Sequence, residues 1–198
     1  GFKVTVDELN RLNAIDYSAF DEAQLLAHLT VFEAEIAKFD ALEKATQDLI
    51  ISSFGLNIDA IKTTCIDVRH EYEIIGIRRL KAQTDTHMAM YEGYNIDMVD
   101  DGTLTKEMIT QAVATIGNDI SLFGNYVQVY VKEVCGETYP TTLMTFYNAL
   151  QKLGVAVDYN IEFLYRYSQY RDEIKNAVSE VSETLLEILS FSSFPNCF

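Results

Sequence analysis

The sequence predicts an all-α fold, an up-and-down bundle of four long antiparallel helices with one or two short extra helices, forming a single helical-bundle domain over 1–198. Two observations carry that prediction. Nine glycines and two prolines among 198 residues leave few places to break a long element. Apolar residues make up 48% of the chain and recur at spacings of three and four, the period of a helix that presents one stripe to a core.

In chain order, Thr5 with Glu8 has capping-box spacing and predicts a short opening helix that turns Leu9 and Leu12 inward. Ser18 with Asp21 repeats the signature, and Leu25, Leu29, Phe32, Ile36 and Phe39 follow on one stripe, which predicts a single long helix running to Phe54. Gly55 suits a left-handed stop and Asn57 a new N-cap, so the next helix runs back. It carries Ile58, Ile61, Cys65, Val68, Tyr72 and Ile75, and the stripe fades after Arg79. A polar connection leads to Thr105 as N-cap of a third long helix with Ile109, Val113, Ile116, Ile120, Phe123, Val127 and Val134. Gly136 and Pro140 close it, an amphipathic segment covers 142–153, and Asp158 caps a last long helix that includes Ile174, Val178, Val181, Leu185 and Ile188. Helices of roughly 30 residues would span about 45 Å.

Composition narrows the function classes. A net charge of −15 disfavours nucleic acid and anionic membrane surfaces, which both attract a positive field. No apolar run reaches the length of a spanning helix, so membrane insertion is not expected, and the opening residues lack the apolar core of a signal peptide, so the chain reads as mature or trimmed.

The three cysteines at 65, 135 and 197 match neither a zinc spacing nor a C-x-x-C motif. If the second and third long helices fold back near position 100, Cys65 and Cys135 meet at the same height, and Gly76 and Gly124 mirror each other where the backbones approach. A Cys65–Cys135 disulfide is therefore expected, with two buried thiols, or a bridge from Cys197, as the alternatives. Such a bridge implies a secreted, extracellular protein.

Catalytic and metal patterns are missing from the sequence. Asp101 and Gly102 resemble the middle of a calcium loop, but the twelfth position falls on Met108, so a turn and N-cap explain the stretch. His28, His70 and His87 are the three histidines and none lies in Glu-x-x-His, which excludes a di-iron bundle. Cys65 sits within an apolar stripe, unlike a reactive thiolate. No enzyme activity, no cofactor and no metal site are expected. The least ordinary stretch interleaves Tyr159, Phe163, Tyr165, Tyr167 and Tyr170 with Arg166 and Arg171. Tyr and Arg are favoured at binding surfaces, so Tyr159, Phe163, Arg166, Tyr167 and Tyr170 are the candidate ligand or partner residues, with an aromatic core layer as the structural alternative. The functional expectation is a secreted, non-catalytic binding protein for a small apolar or lipid-like ligand or a protein partner. The alternative is a structural or oligomeric helical interaction module.

Overall fold

The computed structural model of the chain describes residues 1–132, 141–154 and 161–190. The regular elements among them are helical, with no strand. They are α1 (Phe2–Asn13), α2 (Glu22–Asp40), α3 (Lys44–Phe54), α4 (Ile58–Glu92), α5 (Ile96–Asp100), α6 (Lys106–Tyr126), α7 (Thr141–Gly154) and α8 (Ile161–Leu189). A π-helical segment, Val127–Lys132, continues α6. The chain divides into two compact units, Gly1–Gly76 and Ile77–Phe198.

In the first unit, α1 begins at Phe2 rather than at a Thr5 cap. Glu8 lies inside the helix and is held by Arg11 at 2.6 Å, so it does not turn back to a cap. The start of α2 is fixed by Asp21, not Ser18: the Asp21 carboxylate accepts from the Gln24 amide N–H at 2.8 Å and the Gln24 side chain accepts from the Asp21 N–H at 3.0 Å. The single helix expected to run to Phe54 is two. The Gln47 side-chain amide donates to the Phe39, Asp40 and Leu42 carbonyls at 3.2, 3.3 and 3.0 Å, which satisfies backbone groups freed where α2 ends. Gly55 closes α3 at φ +62°, as its sequence position predicts, and the Asn57 side chain accepts from the Ala60 N–H at 3.1 Å to open α4. Leu9, Leu12, Leu25, Leu29, Phe32, Ile50, Ile61, Cys65 and Val68 form the core of this unit.

The second unit takes α4 from Ile77 onward. The stripe does not fade after Arg79; a new one begins with Ile77, Leu80, Thr84, Met88 and Tyr91, all buried. The connection after α4 contains the short α5, capped by Asn95, whose side chain accepts from the Met98 N–H. Asp101 then accepts from the Thr103 N–H at 2.9 Å, and Gly102 sits at φ +80°, so this stretch is a turn. Thr105 caps α6 through the Met108 N–H. Gly124 does not serve a close approach to the preceding long helix: a Cβ there would collide with the Tyr147 hydroxyl of α7, so the missing side chain makes room for that ring. Ile116, Phe123, Phe146, Leu153, Phe163, Ile174, Val178 and Leu185 are buried in this unit. The expected stops at Gly136 and Pro140, the Asp158 cap, Val134, and the cysteines 135 and 197 lie outside the described residues.

Candidate binding pocket

The first unit holds a pocket of about 480 Å³. One wall is a face of α4, where Thr64, Asp67, Val68, Glu71 and Ile75 follow at helical spacing; the connection from α1 to α2 supplies Tyr17, Ser18 and Phe20, and α2 supplies Leu25. Local chemistry fixes the connection. The Tyr17 hydroxyl donates to the Leu12 carbonyl at 2.6 Å, which pins its ring across the end of α1. Hydrogen bonds from the Ser18 side chain and from the Ser18 N–H, the latter at 3.0 Å, hold the Asp16 carboxyl below its ordinary pKa.

Tyr17 and Phe20 meet edge to face with centroids 5.3 Å apart, and His28 of α2 lies 4.7 Å from the Phe20 ring and 5.9 Å from the Tyr17 ring. The His28 Nδ1 is 2.9 Å from the Gln24 carbonyl, so it carries the proton and donates. Burial raises the Tyr17 phenol above its usual range, keeping the aromatic wall neutral.

The polar side of the pocket is acidic. Asp67 is half-buried and Glu71 exposed, one turn apart on α4, an arrangement whose mutual repulsion costs about 0.2–0.5 kcal/mol. The nearby cations are committed elsewhere or discharged. Arg69 holds Glu33 at 2.5 Å and Glu73 at 3.5 Å. Burial holds His70 below the ordinary histidine pKa, leaving its ring neutral at neutral pH beside Asp67 and Glu71. The pocket thus combines aromatic and aliphatic walls, two hydroxyls from Ser18 and Thr64, and two carboxylates. Nothing in the sequence pattern marks it, because Tyr17, Ser18 and Phe20 lie in a connection with no period to read.

The residues singled out from the sequence lie elsewhere, at the start of α8 in the second unit. Phe163 and Tyr167 are buried and stacked at 5.8 Å. The Tyr167 hydroxyl donates to the Met88 carbonyl at 2.8 Å and its ring meets Tyr91 edge to face at 6.4 Å, while burial drives its pKa far above the usual phenol range. Arg166 is held by Glu162 at 2.7 Å and donates to the Lys152 carbonyl at 2.9 Å. Tyr170 is half-buried, with the Lys152 ammonium 5.3 Å from its ring centroid. Phe163 and Tyr167 therefore belong to the interior layer of this unit, and Tyr159 lies outside the described residues. Cys65 is a buried thiol in the first unit, unbridged among the described residues and pushed up to about 11 chiefly by desolvation; its expected partner Cys135 lies outside those residues.

A polar group the sequence reading passed over sits in the second unit. Asp119 of α6 is 1% exposed; its two oxygens meet the Gln83 Nε2 at 2.9 Å and the His87 Nδ1 at 2.6 Å, both on α4. A signal was present. Ile109, Ala112, Ile116, Asp119 and Phe123 alternate spacings of three and four, so the carboxylate occupies a core position. With His87 protonated at Nδ1, both oxygens accept, satisfying the buried group from both sides. Among the described residues no group of three metal-ligating side chains converges, and no single helix is long and apolar enough to cross a membrane.

Comparison of the chain with protein-family profiles, with curated proteins and with solved structures finds no match.

Proposed function

We propose that the chain is a non-catalytic binding protein that sequesters a small, largely apolar molecule, and that the pocket of the first unit is its site. The observation that carries this reading is the pocket itself: about 480 Å³ lies within the range of ligand cavities, and Tyr17, Phe20, Leu25, Val68 and Ile75 give it a mainly apolar lining with a few polar groups. The small-ligand form of the reading draws its support there rather than from α8, whose aromatic rings at 163 and 167 are spent on packing. Secretion belongs to the same proposal, together with a Cys65–Cys135 bridge, since a bridge formed in the cell marks an oxidising compartment. So does the arrangement of long helices up and down a bundle. The order of contacts between α4 and α6 supports it: Gln83 and His87 reach Asp119, and Tyr91, further along α4, bonds Thr115, earlier on α6.

The test is titration of the full chain with a neutral naphthylamine dye whose emission rises in apolar surroundings. Saturable binding at one site, abolished when Ser18→Trp plugs the mouth, is the expected result. Absence of saturable binding, or binding that Ser18→Trp leaves untouched, overturns the assignment of the pocket.

A further inference from the structure

The ligand class can be narrowed from the charges in the same pocket. We propose that it takes an amphipathic cation, an arylalkyl or short alkyl amine, with the ammonium between Asp67 and Glu71 and the apolar body against Tyr17, Phe20 and Leu25. The inference rests on the pocket being the ligand site. Four observations converge on it.

The first is uncompensated charge within a shaped cavity. Asp67 and Glu71 line the pocket one turn apart, and neither is hydrogen-bonded or ion-paired to a cation among the described residues. A bound ammonium would relieve their repulsion and accept the attraction of both. Second, the charged groups around them do not compete for that role: Arg69 is engaged by Glu33 and Glu73, and His70 is neutral at neutral pH. Asp16, beside the Tyr17 and Ser18 edge, adds a third negative charge nearby.

Third, the opposite wall is aromatic. The Tyr17 hydroxyl is turned to the Leu12 carbonyl, so what that residue offers a ligand is its ring, edge to face with Phe20. Aromatic faces attract cations as well as apolar groups, whereas they give an anion nothing. Fourth, Ser18 and Thr64 place hydroxyl oxygens among the lining residues; the Thr64 hydroxyl gives its proton to Asn13 Oδ1 at 2.6 Å, which leaves its oxygen to accept from an ammonium. A purely apolar ligand would leave Asp67 half-buried with nothing to offset its desolvation, and a fatty acid would bring a like charge to two carboxylates.

The experiment is competition against the neutral dye by three ligands of one shape: phenethylamine, phenylethanol and phenylpropionate. The amine should displace dye with at least about tenfold higher affinity than the alcohol, the carboxylate should be weakest, and the amine's advantage should shrink as salt rises. Asp67→Asn with Glu71→Gln should lower the amine's affinity about tenfold, leave circular dichroism as in the parent and raise melting no more than slightly, since the pair's repulsion goes with its charges and neither side chain is fully buried. Glu180→Gln, on the exposed face of α8 in the second unit, is the charge control and should change nothing. Dye binding with equal competition by all three ligands overturns the amine assignment and leaves the pocket standing. Amine binding that survives the double substitution places the cation elsewhere and also overturns it. No dye binding at all takes down the pocket reading first.

Discussion

Removing the Asp119 carboxylate should be the costliest single change to a polar side chain in the second unit, and its pattern across substitutions follows from the local geometry. Both oxygens are occupied, at 2.9 Å by Gln83 and 2.6 Å by His87, and the residue is 1% exposed. Asp119→Ala deletes two hydrogen bonds to a charged group and leaves a small void. Each such bond contributes about 1.5–3 kcal/mol, but Gln83 and His87 are only partly buried and recover water, so a net loss of about 3 kcal/mol is expected. Asp119→Asn keeps the volume. Its carbonyl oxygen can accept from Gln83 while its amide donates to His87, provided His87 moves its proton to Nε2, which a ring 26% exposed can present to solvent. That variant should lose about 1 kcal/mol. At roughly 4 °C per kcal/mol the melting shifts are about 12 and 4 °C. The assay is thermal and urea unfolding followed by the near-ultraviolet dichroism of the tyrosines, because the chain has no tryptophan. A cycle with His87→Ala should show coupling of about 1–2 kcal/mol with Asp119. Equal effects of the Ala and Asn variants, both under about 0.5 kcal/mol, or strict additivity with His87→Ala, would refute the proposed network.

Other outcomes follow from single features. Asp21→Ala removes the side-chain half of the capping box at α2, leaving the Gln24 side chain on the backbone N–H of position 21, and should cost about 1 kcal/mol in urea unfolding, against near zero for the exposed Glu180→Ala. In the reduced chain the Cys65 thiol, buried and raised to about 11, should resist iodoacetamide at mildly alkaline pH while the protein is folded and react only after unfolding; rapid native alkylation would contradict its burial. His70 has a folded pKa below its unfolded value, so the unfolded chain binds the proton more readily: stability is full above the unfolded value near 6.5 and is lost as pH falls from there toward the folded value. His70→Asn should therefore show a smaller drop in melting temperature between neutral and mildly acidic pH than the parent; an equal drop would assign the acid sensitivity to other groups.

Much of the helical content is legible in the sequence, because stripes such as Ile61, Cys65 and Val68, the Gly55 stop and the Thr105 cap are local signals. The break between α2 and α3 is not, since Ala41, Leu42 and Glu43 include no strong breaker and the ending is stabilised by a side chain from α3, Gln47. The start of α1 is misread for the converse reason: Glu8 has capping spacing but is taken by Arg11 within the helix. The second stripe of α4 escapes a search that extends the first, because burial passes to Ile77, Leu80 and Thr84. The candidate site shows the same division. The aromatic run near 163–170 stands out in the sequence because it is dense, yet Phe163 and Tyr167 use that density for packing. The pocket draws Tyr17, Ser18 and Phe20 from a connection and Asp67 and Glu71 from α4, so only the fold brings them together.

The most direct measurement of the central claim is the native mass of the chain isolated from its natural source, compared with its denatured mass. One equivalent of a small molecule carrying a basic nitrogen, released on denaturation, is the expected result. A bare native mass, from material that also fails to bind the dye, would contradict it.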